Sequence, residues 1–498
     1  MVYPSNTLVL VVALGVALGE TSSDVHNPSS NEHTPSIYML PEHARGGSLS
    51  ASFSPVVEAA AQWLKVPLNY SDPAGEAFRI RYYVADAHFR RANGSAPIFV
   101  TMGGEGTSRG VRCSAVAKKH GALCVGVEHR FYGESVPASG ATTANYWAGL
   151  SVEANLADTA AVIEQIQVAY ATRDGARRTV INTGGSYSGA TCAWFRQSYP
   201  KVSDGCVSSS GVVNALLDYP QFDAHVAHAL GTECATTLAA TYAAIDRAFD
   251  AGKGDAVKAR FNASNLIGTP LGDADFMYAI ADGPAMLDQY GNKKSLCDGL
   301  AKLPDAPTDE ERLDNLASIV REHYGESFCS ECFYDSECVK KEPAPTALGD
   351  LNARSWRFEK CSEVAYLQRQ PTSESHPAPL ALRSRRLTLD ALLAQCEHVF
   401  GDGTAARLRV RNAALNGKFG RTDPAAGSLP ASNIFYLDFS DDPWSEVSVK
   451  RSTDPSLPYC LTTCDGCGHC GAGVPERLSE CFDQSDTWVD TLLTAKLR

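Results

Sequence analysis

The chain has 498 residues, more than one hydrophobic core usually holds, so two domains or one domain with a large insertion are expected. Hydrophobic residues make up 44% of the chain and charged residues 20%, which is an ordinary globular mixture. The formal net charge of −13 argues against nucleic acid as a partner.

The N-terminal region carries the features of a secreted protein. An apolar run over residues 8–18 is too short to span a bilayer and has the size of a signal-peptide core, so residues 1–19 are predicted to be a signal peptide. The polar residues 20–50 predict a linker or propeptide. We expect a lysosomal, vacuolar or extracellular protein, because sixteen cysteines accompany glycosylation sequons at Asn69, Asn93 and Asn262. No membrane span is expected in the mature protein, because no other segment is long and apolar enough.

The next part of the chain alternates strand-like and helix-like segments. Predicted strands cover residues 63–70, 78–85, 97–102, 123–127 and 179–183, the first two as an antiparallel pair. Apolar residues recur at helical spacing over residues 152–170. Buried strands that alternate with helices predict a mostly parallel α/β sheet with helices on both faces.

The pattern becomes helical in the middle of the chain and then returns to strand and helix. Predicted helices cover residues 224–249, 310–323 and 387–400, followed by a strand over 433–438 and a closing helix over 487–497. We therefore predict an α/β-hydrolase core in two parts, residues 51–217 and 431–498. A helical cap domain, residues 218–430, is expected as an insertion between them.

Ser186 is the candidate nucleophile, because it lies between a strand and a helix-compatible run that Pro200 ends. Gly184 and Gly185 permit the sharp turn that exposes the hydroxyl group in a nucleophile elbow. Ser188 stands where the motif has glycine, and Gly189 follows one place later. The alternative is an ordinary glycine-flanked turn.

An α/β-hydrolase places its triad in the order serine, acid, histidine. His469 is the one histidine after His398, and Asp442 follows the predicted strand at 433–438, with Asp438 and Asp441 as rival acids. His469 would take the proton of Ser186 as the serine attacks a carbonyl carbon, and the acid would hold the imidazole in the correct tautomer.

Two backbone N–H groups are candidates for an oxyanion hole. One belongs to Tyr187, directly after the nucleophile, and the other to Gly104 in the loop of residues 103–106, Gly-Gly-Glu-Gly. The alternative for that loop is a simple tight glycine turn.

Five blocks of sequence, in this order, resemble the serine carboxypeptidase family that includes lysosomal Pro-Xaa carboxypeptidase, dipeptidyl-peptidase II and thymus-specific serine protease. They are residues 103–106, 128–135, 184–196, 442–444 and 468–477, and the resemblance extends from about residue 63 to the C-terminus. It implies Ser186, Asp442 and His469 as the triad, a helical cap over the site and hydrolysis next to proline. It also implies an acidic compartment and a possible homodimer.

The resemblance also suggests roles for residues around the triad. Trp444 would line a proline pocket, the alternative being a plain core tryptophan. Glu105 could meet a substrate terminus, the alternative being a loop carboxylate with ordinary hydrogen bonds. His129 precedes the serine in the chain, so the block of residues 128–135 is interpreted as structural support.

The segment around His469 is rich in cysteine, with Cys460, Cys464, Cys467 and Cys470. Four cysteines so close to a histidine leave a zinc site as an alternative, with His469 as one of its ligands. Disulfides are expected instead, because the chain is predicted to be secreted, and no metal or cofactor is expected. Cys361 and Cys396 are a plausible bridge within the cap.

The sequence therefore predicts a serine-type peptidase that acts on proline-containing peptides as an exopeptidase, either a Pro-Xaa carboxypeptidase or a dipeptidyl-peptidase. One alternative is an esterase or lipase on the same triad. Another is an inactive peptide-binding homologue in which Ser188 or the cysteine cluster has disabled the site.

Overall fold

The computed structural model describes residues 59–342, 347–372, 380–420, 430–452, 454–478 and 480–495. The chain divides into two units, residues 1–32 and 33–498, and all of the described residues belong to the second. The predicted signal peptide and linker lie outside the described residues.

An eight-stranded sheet forms the centre of the described chain, with strand order β1-β2-β4-β3-β5-β6-β7-β8. The strands are β1 (Ala61–Pro67), β2 (Ala77–Ala85), β3 (Ile98–Thr101), β4 (Leu123–Val127), β5 (Val180–Gly185), β6 (Gly205–Ser209), β7 (Ile434–Phe439) and β8 (Tyr459–Thr462). Strand β2 runs antiparallel to both of its neighbours, and all other pairs are parallel. This mixed sheet confirms the predicted α/β-hydrolase fold.

The central strands are apolar because helices cover both faces of the sheet. Ile98 and Val100 of β3 and Leu123 and Val125 of β4 are all fully buried. Continuous apolar runs of this kind are typical of parallel strands inside an α/β protein. The predicted strands at these positions agree with the structure, whereas β6 and β8 carry no clear sequence signal and were not predicted.

Fifteen α-helices occur in the described residues. They are α1 (Ala115–Lys119), α2 (Thr143–Gly149), α3 (Val152–Ala169), α4 (Tyr187–Ser198), α5 (Gln221–Leu230), α6 (Thr232–Asp250), α7 (Gly254–Arg260), α8 (Gly272–Gln289), α9 (Lys293–Leu300), α10 (Asp309–Tyr324), α11 (Ser336–Lys340), α12 (Leu348–Glu359), α13 (Leu389–Phe400), α14 (Thr404–Phe419) and α15 (Glu480–Ala495). Helices α5 to α14 all lie between β6 and β7 in the chain, as expected for an inserted helical cap. The exact cap boundaries at residues 218 and 430 stay predictions.

One predicted helix is two helices in the structure. The Ala-rich segment 224–249 is interrupted at Gly231, which has φ 76° and separates α5 from α6. Glycine adopts this left-handed conformation without the steric cost that a Cβ atom imposes. A single helix was predicted because the apolar residues keep helical spacing on both sides of Gly231.

Fourteen of the sixteen cysteines form disulfides. The pairs are Cys113–Cys124, Cys192–Cys206, Cys234–Cys297, Cys332–Cys338, Cys361–Cys396, Cys460–Cys481 and Cys464–Cys467. The zinc alternative for the segment around His469 is not supported, because three of its four cysteines are in disulfides. So many disulfides indicate the secretory pathway. Among the described residues, no helix is both long and apolar enough to cross a membrane.

Candidate active site

Ser186 lies at the turn between β5 and α4, with φ 59° and ψ −130°. A positive φ is uncommon for a residue with a side chain and marks a strained backbone. A Cβ atom on Gly184 would lie 2.1 Å from the carbonyl oxygen of Ser188, so the turn requires glycine there. These features are those of the strained strand-to-helix turn that presents a nucleophilic serine.

Ser188 closes the turn through its side chain. Its hydroxyl group donates a hydrogen bond to the carbonyl oxygen of Gly185 at 2.7 Å and accepts one from the backbone N–H of the same residue at 3.0 Å. The glycine expected at this position is replaced by a serine whose hydroxyl group fits the turn. The close approach that needs glycine is one place later, where a Cβ atom on Gly189 would lie 2.9 Å from the carbonyl oxygen of Ser209.

Asp442 and His469 form a buried pair after β7 and β8. Nδ1 of His469 lies 2.8 Å from Oδ2 of Asp442, and Oδ1 of Asp442 accepts the backbone N–H of Trp444 at 2.9 Å. The rival acids are placed differently: Asp438 lies within β7, whereas Oδ2 of Asp441 accepts the backbone N–H of Gly466 and forms an ion pair with Lys293. The structure therefore pairs Asp442, among the three candidate acids, with His469.

The turn at Ser186 and the segment around His469 meet at the end of β6. The backbone N–H of Ser186 donates to the carbonyl oxygen of Ser209 at 2.9 Å, and the backbone N–H of Cys470 donates to Oγ of Ser210 at 2.8 Å. A Cβ atom on Gly185 would lie 2.9 Å from Sγ of Cys470. The residues next to Ser186 and His469 are thus in close contact.

The imidazole of His469 is 3% exposed, and its Nε2 atom lacks a hydrogen-bond partner in the described part of the chain. Burial lowers the pKa of His469, but interactions with Asp442 and then Cys470 outweigh burial and raise this pKa well above its ordinary value. The second ring nitrogen is therefore available to a reacting group, while the first is held by the carboxylate.

The two oxyanion candidates lie on either side of the turn. Tyr187 begins α4, where the backbone N–H groups are not used within the helix. Gly104 lies close to the same helix, since a Cβ atom on it would be 3.5 Å from Cβ of Ser188. Both backbone segments are therefore near Ser186, as an oxyanion hole requires.

Trp444 lies beside His469, with ring centroids 6.2 Å apart. Its indole is only partly buried, and Nε1 donates to Oε1 of Gln289 at 2.9 Å. Three aromatic rings surround it at centroid distances from 5.2 to 5.8 Å, those of Tyr219, Phe222 and Tyr366. We call these four rings the aromatic wall.

The block of residues 128–135 is structural, as interpreted from the sequence. Glu128 accepts hydrogen bonds from the guanidinium group of Arg81 and from the Ser135 hydroxyl group. Arg130 forms a buried ion pair with Asp158. His129 is buried, and burial lowers its pKa to about 3, so the ring is neutral and Nδ1–H donates to the carbonyl oxygen of Arg130 at 2.8 Å.

Several residues near the site were not predicted from the sequence. Gln289 and Tyr290 come from the end of α8, Glu359 from the end of α12 and Tyr366 from the segment after it. The ring of Tyr290 lies 6.4 Å from that of His469. No sequence motif identifies these residues as part of the site, because they reach it only through the way the cap folds.

The three predicted glycosylation asparagines lie at or near the surface. Asn93 and Asn262 are exposed, and Asn69 is half-buried. Their glycosylation stays a prediction.

Comparison with known proteins places the chain in a family. The model of the family "Serine carboxypeptidase S28" matches residues 69–483. The chain belongs to the serine carboxypeptidase S28 family. It is therefore a serine peptidase, in agreement with the resemblance found in the sequence.

Individual relatives align over most of their length. A probable serine protease EDA2 of Arabidopsis thaliana is 29% identical, with 82% of this chain and 79% of the relative covered. Human thymus-specific serine protease is 27% identical, with 90% of each chain covered. Mouse lysosomal Pro-X carboxypeptidase is 25% identical, with 84% of each chain covered.

Proposed function

We propose that the protein is a serine exopeptidase that hydrolyses peptide bonds next to proline, with Ser186, Asp442 and His469 as its catalytic residues. The observation that carries the proposal is the Asp442–His469 pair, whose segment contacts the strained turn at Ser186. Membership of the family supports peptidase chemistry, and the geometry supports these three residues as the catalytic residues.

The reaction follows from the positions of the two ring nitrogens of His469. Nε2 accepts the proton of the Ser186 hydroxyl group as Oγ attacks the carbonyl carbon, and the same proton then goes to the leaving amine. Water hydrolyses the resulting acyl-enzyme by the same path. Asp442 accepts a hydrogen bond from Nδ1–H, which keeps the imidazole in the tautomer that leaves Nε2 free to act as the base.

The negative charge that develops on the carbonyl oxygen needs hydrogen-bond donors. The backbone N–H groups of Tyr187 and Gly104 are the proposed donors, because both lie beside Ser186 and are fixed by the fold. Donors that are oriented before the reaction stabilise the transition state without reorganisation.

The aromatic wall supports the preference for proline. A proline ring presents a flat apolar face, and aromatic side chains offer a matching surface close to His469. Mouse lysosomal Pro-X carboxypeptidase, a relative of this chain, has proline in its name.

We further propose that the protein acts in the lysosome or vacuole or outside the cell. A homodimer is also proposed, which sedimentation analysis would detect.

The test is a digest of proline-containing peptides with free and blocked termini at about pH 5, followed by mass spectrometry. We expect cleavage next to proline by the disulfide-bonded protein and none by Ser186→Ala. Absence of cleavage by the unmodified protein would contradict the proposal. Hydrolysis of simple acyl esters alone would then indicate an esterase, and failure of a phosphonate to label Ser186 would indicate an inactive peptide-binding homologue.

A further inference from the structure

The carboxyl group of Glu359 connects the cap to the turn that carries Ser186. Glu359 ends helix α12 and is 2% exposed. Its Oε1 atom accepts a hydrogen bond from the hydroxyl group of Tyr187 at 2.6 Å, and its Oε2 atom accepts one from the hydroxyl group of Tyr132. Oε1 also lies 3.4 Å from Nε2 of His129. Because Tyr187 directly follows Ser186, these contacts extend to the proposed active site.

The donors and acceptors of this network determine how many protons it needs. The neutral ring of His129 donates Nδ1–H to the carbonyl oxygen of Arg130, so its Nε2 atom carries a lone pair and needs a donor. The hydroxyl group of Tyr187 lies 3.5 Å from this Nε2 atom, but its single proton is directed to the closer carboxyl oxygen. An ionised Glu359 would place a negative oxygen opposite the lone pair. A neutral carboxyl group supplies the missing proton.

The surroundings of Glu359 favour this neutral form. Burial raises the pKa of Glu359 to about 8 and outweighs the two tyrosine hydrogen bonds, which lower it. The carboxyl groups of Glu363 and of Glu105, whose role at a substrate terminus stays a prediction, raise this pKa further. The phenol groups of Tyr146 and Tyr366 also interact with the charge of Glu359. Glu359 is therefore neutral at the acidic pH of a lysosome.

We propose that Glu359 is a positioning residue, whose neutral carboxyl group fixes the side chain of Tyr187 and so orients the backbone N–H next to Ser186. This inference rests on the proposed function, in which that N–H is a donor of the oxyanion hole. The ring of Tyr187 also contacts the cap and the core, since it lies 5.3 Å from the ring of Trp356 in α12 and 6.3 Å from that of Trp194 in α4.

The positioning role gives activity a dependence on alkaline pH. The neutral form of Glu359 is fully present below about pH 8 and is lost as the pH rises through this value. Ionisation creates a buried charge opposite the lone pair of His129, so the network must rearrange and Tyr187 loses its fixed position. A small displacement of an oxyanion donor lowers kcat at least about 10-fold.

The experiment measures kcat/KM for the peptide Ala-Pro-Phe between pH 5 and 9.5 in the unmodified protein and in Glu359→Gln. Both exopeptidase modes cleave the Pro–Phe bond of this peptide, and the ratio of the two proteins cancels the titrations of His469 and of the substrate. We expect nearly equal activity at pH 5. Above pH 8 the ratio should rise at least about 5-fold in favour of Glu359→Gln, because a carboxamide supplies an N–H at every pH.

Two further variants test the connection through Tyr187. Glu359→Ala and Tyr187→Phe should each lower kcat at least about 10-fold at pH 5 with little change in KM, because an oxyanion donor acts in the transition state. Tyr187→Phe keeps the ring and removes only the hydroxyl group. It therefore tests the connection even where Glu359→Ala fails to fold.

Glu331→Gln is the matched control, because burial also raises the pKa of this cap residue, to about 7, and its Oε1 atom lacks a hydrogen-bond partner in the described part of the chain. We expect its ratio to the unmodified protein to stay constant with pH. A constant ratio in Glu359→Gln, or a kcat at pH 5 as low as that of Glu359→Ala, would overturn the positioning role. An equal rise in Glu331→Gln would overturn it too, because the effect would then come from the stability of the cap. Cleavage that persists in Ser186→Ala would instead contradict the proposed function itself.

Discussion

Oδ2 of Asp442 lies 2.8 Å from Nδ1 of His469 in a buried setting, while Oδ1 of the same carboxylate accepts the backbone N–H of Trp444. Both carboxylate oxygens are thus used, which fixes the imidazole as well as its tautomer. We predict that Asp442→Asn lowers kcat by about 10⁴-fold, because an amide favours the wrong tautomer. Steady-state kinetics measure the loss, and Asp441→Asn, one residue earlier, is expected to have a much smaller effect on kcat.

The charge of Asp442 also sets the pH dependence of kcat/KM. Although burial lowers the pKa of His469, the interaction with Asp442 raises it above the ordinary value of 6.5. The imidazole must be neutral to act as a base, so kcat/KM is expected to rise with pH, with the slope of one proton and an inflection above 6.5.

Asp442→Asn should move the same inflection to lower pH, because the burial that opposes protonation remains and the carboxylate charge is gone. A flat profile between pH 4 and 7 in the unmodified protein would show that His469 is not the base.

Ser188 is predicted to stabilise the turn rather than to disable it. Ser188→Ala leaves the backbone N–H and carbonyl groups of Gly185 without its hydroxyl group, at an expected cost of about 1–3 kcal/mol in the free energy of unfolding. Urea denaturation measures this cost. Ser139→Ala serves as an exposed control and should change the free energy of unfolding much less, since the Ser139 hydroxyl group bonds to Glu76 at the surface. An unchanged unfolding midpoint in Ser188→Ala would contradict the prediction.

The parts of the fold that the sequence predicted are those with local signals. The apolar runs of β3, β4 and β5 and the glycines around Ser186 each carry their own pattern, and chain order alone selected His469. The sequence favoured Asp442, but only the geometry separates it from its rival Asp441, since both residues follow the same strand and Asp442 is the one that contacts His469. Strand β8 lacked an apolar pattern because it lies at the sheet edge and is only partly buried.

Cap residues such as Glu359 and Tyr290 could not be predicted as parts of the site. They lie at helix ends far from Ser186 in the chain, and their role depends on how the cap packs over the sheet. The disulfide pairing was likewise beyond the sequence, apart from the plausible Cys361–Cys396 bridge that the structure contains.

Trp444 is predicted to govern the preference for proline. Trp444→Ala removes the centre of the aromatic wall and should lower kcat/KM for a proline peptide about 10- to 100-fold, with a smaller loss for the matched alanine peptide. Trp444→Phe keeps an aromatic face but loses the hydrogen bond to Gln289, so an intermediate loss is expected. Equal losses for the proline and alanine peptides would show that Trp444 supports the site without selecting proline.

The Cys464–Cys467 disulfide closes a turn that is bound to the residues just before Asp442. Cys464 exchanges two hydrogen bonds with Oγ of Ser440, and the backbone N–H of Asp441 donates to the carbonyl oxygen of Cys467 at 2.9 Å. Because this turn holds the segment that carries the proposed catalytic acid, its loss should affect catalysis as well as stability.

We predict that the double variant Cys464→Ser/Cys467→Ser loses about 2 kcal/mol of stability, the entropy expected for so short a loop, and also loses at least about 10-fold in kcat. Cys332→Ser/Cys338→Ser is the matched control, because it opens a similarly short loop, of sequence separation 6, in the cap. It should lose similar stability, measured by urea denaturation, with little change in kcat. An equal loss of kcat in both variants would mean that the effect on catalysis comes from general destabilisation, and not from the position of Asp442.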